Sequence, residues 1–269
     1  MTADELRKQL KFYRDLGVQE IFLRPRDGVQ ETVSSVVVAE DPTISRSPAI
    51  PKNSTQVQEA EIVPRPKPET IELPPIAPPN DTLDAIQADI GDCKRCRLCQ
   101  QRNKIVFGTG NPGARLVFVG EGPGADEDAQ GVPFVGRAGQ LLTQMIDNTA
   151  AKEGISIQRK DVYICNVVKC RPPENRTPEP DEMAICGQFL FRQLSVIQPK
   201  AICCLGSTAA KALLGTKVGV TKLRGEWQKW RDIPVMVTYH PSYLLRPYNQ
   251  DAKRQAWEDL KKALHFVYD

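Results

Sequence analysis

Short apolar runs rich in β-branched residues alternate with helical patterns through the second half of the chain, and this alternation limits the fold more than any other feature. Four runs predict strands: residues 116–119, 162–168, 201–205 and 235–239. Four segments have helical periodicity: residues 138–152, 180–197, 208–214 and 251–267. Strands that alternate with helices form a mainly parallel sheet covered on both faces. The sequence therefore predicts an α/β fold with a central four-stranded sheet.

Composition changes near residue 80. Of the 22 prolines, 11 lie in residues 1–85, whereas all eight cysteines and 16 of the 18 glycines follow. Residues 1–85 carry a net charge of −4 and the rest carries +7. We expect an amphipathic helix at residues 1–24, a disordered proline-rich linker at 25–80 and one folded domain at 81–269. A basic domain suits a polyanionic partner.

The cysteines are grouped in a way that is typical of metal ligands. Cys93 and Cys96 have the two-residue spacing of a metal hook, and 15 residues separate Cys170 from Cys186. In a reducing compartment, grouped thiols bind metals or clusters more often than they form disulfides. Two thiolate pairs suit either a zinc ion or an iron–sulfur cluster. Cys99 extends the first group, either as a ligand or as a bystander.

Polar, turn-forming segments follow three of the predicted strands. The first strand runs into the glycine-rich loop 120–124, the second contains Asn166, and the fourth ends near His240. The carboxyl ends of parallel strands meet at one edge of a sheet, where ligands bind. The loop lacks the lysine and hydroxyl residue of a phosphate-binding loop, so nucleotide binding is disfavoured and a tight turn is the structural alternative.

Two further side chains are candidates for this edge. Phe134 lies between glycines and a proline, in a loop that can present its ring to a flat ligand. His240 precedes a proline, so its imidazole can face the crevice. The alternatives are a core position for Phe134 and a structural histidine with satisfied hydrogen bonds for His240.

Five motifs follow one another along residues 93–247. They are Cys-Lys-Arg-Cys, Gly-Glu-Gly-Pro-Gly, Gly-Val-Pro-Phe-Val-Gly, Asn-Val-Val-Lys-Cys-Arg-Pro-Pro and His-Pro-Ser-Tyr-Leu-Leu-Arg. Together they resemble the iron–sulfur uracil-DNA glycosylases of family 4. The resemblance spans nearly the whole predicted domain and implies a three-layer fold in which a four-stranded, mainly parallel sheet lies between helices.

The resemblance also implies a cofactor. A [4Fe-4S] cluster would be bound by Cys93, Cys96, Cys170 and Cys186. Cys99 lies outside the family pattern, which leaves ligand exchange open. A cluster far from the chemistry would be structural, and it would shape a surface that contacts DNA.

The implied reaction is hydrolysis of the N-glycosidic bond of deoxyuridine in DNA, which releases uracil and leaves an abasic site. The nucleotide must leave the duplex to reach a crevice. His240 would donate a hydrogen bond to uracil O2 as negative charge develops there. Asn166 would recognise O4 and N3–H. Phe134 would stack on the ring, and Gly122 would approach it closely.

The sequence does not determine which residue activates water. Gly122 occupies the position at which better-known glycosylases have an aspartate. Either Glu121 or Glu127 substitutes for that carboxylate, or water captures the sugar cation with little base assistance. We expect Glu127 to form part of the pocket wall and to exclude the methyl group of thymine.

Five residues are predicted to contact DNA. We expect Leu244 to fill the gap left by the extruded nucleotide and Arg246 to lie near a phosphate. Lys169, Arg171 and Arg176 would add contacts to the backbone. The protein is expected to act as a monomer on uracil-containing DNA, single- or double-stranded.

Two other protein classes share part of this pattern. A zinc-stabilised nucleic-acid-binding module would explain the cysteines and the charge, and an iron–sulfur redox protein would explain only the cysteines. With no apolar run of about 18 residues and no secretion signal, we expect a cytoplasmic protein. Residues 9–13 weakly resemble peptides that bind replication clamps. A protein partner for residues 1–24 is therefore one hypothesis, and packing on the chain's own domain or no function are the alternatives.

Overall fold

The computed structural model describes residues 77–246 and 249–269. The helix predicted at 1–24 and nearly all of the linker predicted at 25–80 lie outside this range. The described part enters the fold through helix α1 (Leu83–Ile90). Thr82 caps this helix, because its hydroxyl oxygen accepts a hydrogen bond of 3.0 Å from the Ala85 backbone.

Six strands form one sheet in the described part of the chain. They are β1 (Thr109–Gly110), β2 (Leu116–Gly120), β3 (Tyr163–Asn166), β4 (Ala201–Leu205), β5 (Trp227–Trp230) and β6 (Ile233–Thr238). Their order across the sheet is β1-β3-β2-β4-β6-β5. The four inner strands are mutually parallel, as predicted. Strands β1 and β5 add antiparallel edges that the sequence pattern did not predict.

Helices cover both faces of the sheet. After α1 they are α2 (Ala125–Gln130), α3 (Arg137–Lys152), α4 (Pro180–Ile197), α5 (Ser207–Leu214), α6 (Val220–Leu223), α7 (Pro241–Leu244) and α8 (Gln250–Tyr268). Alternate residues of β2 face opposite sides, as in any strand. Val117 and Val119 belong to the core formed with α1, α4 and α5. Leu116 and Phe118 belong to the core formed with α3 and α8. The predicted three-layer α/β fold is confirmed.

The chain reverses its direction of progress across the sheet between β2 and β4. After β2 it moves to β3 on one side and then returns to β4 on the other. In open α/β sheets such a reversal opens a crevice beyond the carboxyl ends of the strands. The pairing of Gly120 with Asn166, and of Leu205 with Thr238, sets neighbouring strand ends level with each other. No helix in the described residues is both long and apolar enough to cross a membrane.

Candidate active site

Asn166 lies at the end of β3 with its side chain almost wholly buried. Its Oδ1 atom has no hydrogen-bond partner, which is rare for a buried polar atom and calls for an explanation. Gly120 lies beside it on β2, and a methyl group at position 120 would collide with Asn166 Oδ1 and with Phe134 Cζ. The glycine therefore leaves room for these two side chains to approach each other.

Phe134 has a strained backbone. Its φ angle is +55°, a left-handed conformation that is unfavourable for a bulky residue and that is often found at functional sites. Gly139 makes the conformation sterically possible, because any Cβ at that position would overlap the Phe134 carbonyl group. The Arg159 guanidinium holds the loop by donating hydrogen bonds of 2.8 Å to Pro133 O and to Thr143 Oγ1. Nothing in the sequence pattern had indicated this role for Arg159.

His240 follows β6, and its ring lies beside the ring of Phe134. The two ring centroids are 5.7 Å apart, with an interplanar angle of 37°. A Cβ at Gly206, which follows β4, would lie 3.1 Å from His240 Cβ. Strands β2, β3, β4 and β6 thus bring Asn166, Phe134 and His240 together. We call this group the strand-end pocket.

Ser242 defines the hydrogen-bonding state of His240. The Ser242 backbone N–H donates a hydrogen bond to His240 Nδ1 at 3.2 Å, and Ser242 Oγ lies 2.7 Å from the same atom. A ring nitrogen that accepts a hydrogen bond carries no proton in the neutral imidazole, so the proton lies on Nε2. Burial lowers the pKa of His240 to about 4, against an opposing effect of the nearby Glu127. His240 is therefore a neutral donor at physiological pH.

Two carboxylates lie near the pocket in different surroundings. Glu127 accepts hydrogen bonds from the backbone N–H groups of Gly124, Val135 and Gly136, at 3.1, 2.9 and 2.8 Å. It therefore holds the loop of Phe134, and this engagement does not fit a free general base. Glu121 accepts a hydrogen bond from Thr208 Oγ1 at the start of α5.

Known proteins match the part of the chain that contains the strand-end pocket. A sequence profile of the uracil DNA glycosylase superfamily matches residues 107–261, which contain the whole strand-end pocket. A type-4 uracil-DNA glycosylase of Thermotoga maritima is 46% identical over 189 residues, covering 70% of this chain and 95% of the relative. The chain belongs to the type-4 uracil-DNA glycosylases.

Other type-4 uracil-DNA glycosylases match the same part of the chain. The protein of Sulfurisphaera tokodaii is 44% identical, covering 68% of this chain and 83% of the relative. The protein of Archaeoglobus fulgidus is 40% identical, covering 68% of this chain and 92% of the relative.

Lys169 of this type-4 glycosylase was predicted to contact the DNA backbone, and its position contradicts that prediction. Its side chain is only 1% exposed. Its ammonium group donates hydrogen bonds to the Asn166 carbonyl at 2.8 Å and to Gln193 Oε1 at 2.6 Å. A phosphate on the surface cannot reach it. Lys169 instead supports the backbone of Asn166.

Leu244 also departs from the prediction. It is 1% exposed and packs against Ala252 and Ala256 of α8, so it is not available to enter a DNA duplex. Arg176 donates hydrogen bonds of 2.7 and 2.8 Å to Glu182. Its charge is therefore already paired, which disfavours the predicted contact with DNA. Arg246 is exposed. Arg171 is partly exposed and donates a hydrogen bond to Asn175 Oδ1.

Four cysteines line a single cavity away from the strand-end pocket. Cys93 and Cys96 follow α1, Cys170 follows β3, and Cys186 lies on α4. Cys99 does not line this cavity. The remaining walls are mainly apolar and include Ile90, Ile105, Ile185 and Phe189. We call it the cysteine cavity.

The four cysteines line the cysteine cavity without forming a site for a single metal ion. Within residues 77–246 and 249–269, no three His, Cys, Asp or Glu side chains are arranged to hold one metal ion together. Burial raises the pKa of the Cys170 thiol to about 11 and that of the Cys186 thiol to about 12. With pKa values this high, both thiols are protonated near neutral pH when no metal is bound.

Hydrogen-bond donors point at two of the sulfur atoms. The Arg102 guanidinium lies 3.4 Å from Cys170 Sγ and also donates to the Cys93 carbonyl at 2.6 Å. The Lys169 backbone N–H donates to Cys186 Sγ at 3.2 Å. Such donors stabilise a sulfur that carries negative charge.

A buried carboxylate joins the segments that carry the cysteines. Glu182 is fully buried on α4 and pairs with Arg97, beside Cys96, and with Arg176. The hydrogen bonds from Arg176 are the main cause that lowers the pKa of Glu182 to about 2. Glu182 is thereby ionised and ties the turn after Cys96 to the loop before α4. The sequence pattern had not indicated this residue.

Proposed function

We propose that this type-4 glycosylase acts in the cytoplasm and hydrolyses the N-glycosidic bond of deoxyuridine in DNA, releasing uracil and leaving an abasic site. The observation that carries the proposal is the buried, unpaired Oδ1 of Asn166 beside the rings of Phe134 and His240. A uracil ring in the strand-end pocket would give that oxygen a partner in its N3–H. The cost of burying the free acceptor would then be recovered on binding.

The pocket favours uracil over cytosine through the same side chain. With Oδ1 accepting from N3–H, the amide nitrogen of Asn166 donates to uracil O4. Cytosine has an unprotonated N3 and an amino group at position 4, so it presents the opposite pattern at both atoms. The ring of Phe134 supplies the stacking surface, and the Arg159 hydrogen bonds fix its position.

Bond cleavage places negative charge on uracil and positive charge on the sugar. His240 Nε2–H would donate to uracil O2 as it becomes an anion. A neutral imidazole suits this role, because an imidazolium would repel the sugar cation. Glu121, which accepts one hydroxyl hydrogen bond where Glu127 accepts three amide hydrogen bonds, is the carboxylate that we infer supports the sugar cation and the attacking water.

We propose that the cysteine cavity binds a [4Fe-4S] cluster through Cys93, Cys96, Cys170 and Cys186, the four cysteines that line it. A zinc ion needs four sulfurs about 2.3 Å from one point, whereas each thiolate of a cubane cluster binds a different iron. Thiols that border a cavity suit the second arrangement. The Lys169 ammonium has no carboxylate partner among the described ion pairs, and an anionic cluster nearby would balance its buried charge.

When bound, the cluster would supply a cross-link between the segment that follows α1 and the segment from Cys170 to Cys186. The chain's own residues continue that link towards the pocket, because Lys169 contacts both the sulfur of Cys186 and the carbonyl of Asn166. Arg171 and Arg246 remain our candidates for phosphate contacts.

The proposed activity and its specificity can be tested together. Wild-type protein is expected to release free uracil from a single-stranded oligonucleotide and to leave an alkali-labile site, while an otherwise identical cytosine oligonucleotide stays intact. Asn166→Asp should lower the ratio of uracil to cytosine release by about 10-fold or more, because an acceptor replaces the donor to O4 and one hydrogen bond to a polar substrate atom is lost. No uracil release by the wild type would refute the function, and an unchanged ratio would remove Asn166 from recognition.

The low pKa of His240 predicts how the rate of uracil release changes at acidic pH. If the neutral imidazole is the donor, the single-turnover rate stays level as pH falls through about 6.5, the ordinary histidine value, and declines only near 4. Between these two values the unfolded chain binds a proton that the folded chain does not, so this residue lowers stability as pH falls. A single-turnover profile at fixed ionic strength, with His240→Gln as the control without the titration, checks this. A rate that rises on acidification would identify the imidazolium as the donor.

A further inference from the structure

Two exposed apolar side chains lie close in the sequence to residues of the strand-end pocket. The described residues include five large hydrophobic side chains that are exposed: Val132, Val218, Trp227, Tyr243 and Phe266. Val132 lies two residues before Phe134, and Tyr243 lies three residues after His240. Each of the two segments that carry Phe134 and His240 therefore also carries an exposed apolar side chain.

Tyr243 is held firmly although it is 39% exposed. Its backbone N–H donates to the His240 carbonyl at 2.9 Å. Its ring stacks on Tyr239, with centroids 5.3 Å apart and an interplanar angle of 28°. Tyr239 is in turn anchored on α8, because its hydroxyl donates to Gln255 Oε1 at 3.0 Å. An exposed aromatic ring with this support presents a preformed surface.

A cation accompanies the ring. The guanidinium carbon of Arg246 lies 5.7 Å from the centre of the Tyr243 ring. An aromatic side chain next to an exposed cation is the combination with which proteins bind a base and its phosphate in single-stranded or opened DNA. The neighbouring Leu244 is buried against Ala252 and Ala256 of α8.

We propose that Tyr243 stacks on the DNA base next to the extruded uracil and occupies the gap that extrusion leaves in a duplex. This inference rests on the proposed function of the strand-end pocket. Extrusion breaks the stacking of the target base on its neighbours, and an aromatic ring close to His240 would restore part of that stacking. Tyr239 supports the ring from within the protein. The incoming base would displace the Arg246 guanidinium from the ring, and Arg246 would then neutralise a flanking phosphate.

The test compares duplex with single-stranded substrate. Tyr243→Ala should slow uracil release from a duplex with uracil opposite adenine by about 10-fold or more, the size expected for loss of one base–aromatic stack. Release from the same single strand should fall by no more than about threefold, because little stacking has to be replaced there. Tyr243→Phe should restore the duplex rate, because the ring and not the hydroxyl makes the contact.

Leu244→Val is the matched control on the adjacent position. It should lower the melting temperature through lost packing on α8 and leave the duplex-to-single-strand ratio of rates unchanged. A 2-aminopurine placed beside the uracil gives a second measurement, since stacking on Tyr243 quenches its fluorescence and Tyr243→Ala should leave it bright. An unchanged ratio in Tyr243→Ala, or a ratio lowered only by Leu244→Val, would overturn the inference. If no substrate released uracil, the proposed function, and not this inference alone, would be refuted.

Discussion

Replacement of His240 with alanine is expected to slow uracil release by about 10²-fold or more, the cost of removing one preorganised donor from the site of a developing anion. The donor is preorganised because Ser242 fixes the tautomer and Phe134 contacts the ring. The single-turnover rate on a uracil-containing single strand, with enzyme in excess, measures the chemical step. DNA affinity, measured by fluorescence anisotropy, should change little because the imidazole acts mainly in the transition state.

His265 offers a matched control for this substitution. It is the only other histidine in the chain, and from α8 it contacts Asp269 and Glu153, the residue that follows α3. His265→Ala should keep the wild-type rate. Ser242→Ala should cause a smaller loss than His240→Ala, because the backbone N–H of residue 242 still fixes the tautomer. A wild-type rate in His240→Ala would show that the pocket has been assigned to the wrong edge of the sheet.

The sequence predicted the inner architecture well because the signals are local. The four parallel strands are continuous apolar runs, and the helices between them have clear periodicity. The edge strands β1 and β5 lack such signals. Strand β1 has only two residues, one of them a glycine, and β5 reads Trp-Gln-Lys-Trp with mostly exposed or half-buried side chains. Their pairing depends on neighbours that are distant in the sequence.

The pocket residues were predictable because strand ends converge whatever the details of packing. Asn166 and His240 needed only the convergence of parallel strand ends, whereas Phe134 lies in a loop between α2 and α3 whose shape depends on Gly139 and Arg159. The errors arose where orientation decided the outcome. A lysine is almost always exposed, so the sequence favoured a surface position for Lys169, whereas Gln193 and the Asn166 carbonyl provide buried partners.

The same limit applies to the segment that follows His240. Leu244 and Tyr243 are adjacent on a four-residue helix, and which of them faces α8 depends on how that helix is set against it. Sequence alone does not determine this. The role of Glu127 was equally hidden, because its three partners are backbone N–H groups, which every sequence has. Hydrogen bonds to the main chain leave no mark in the pattern of side chains.

Replacement of Cys186 with serine is expected to abolish the broad absorbance near 400 nm that thiolate-bound iron gives to the wild-type protein. The iron content should fall with it. The melting temperature should fall by about 10 °C or more, since a domain of this size loses about 2–4 °C for each kcal/mol of stability. Cys186 lies on α4 and receives the Lys169 N–H, so its loss separates α4 from the segment of Cys93 and Cys96.

Two other cysteines separate loss of the cluster from loss of packing. Cys99 does not line the cysteine cavity, so Cys99→Ser should keep both colour and melting temperature. Cys203 is fully buried in β4, so Cys203→Ser should lower the melting temperature and keep the iron bound. If the wild-type protein were colourless and held one equivalent of zinc, the four thiols would have to converge on one point. In that case Cys186→Ser would release zinc. The Lys169 contacts to Cys186 and Asn166 would then connect a single zinc ion, and not a cluster, to the strand-end pocket.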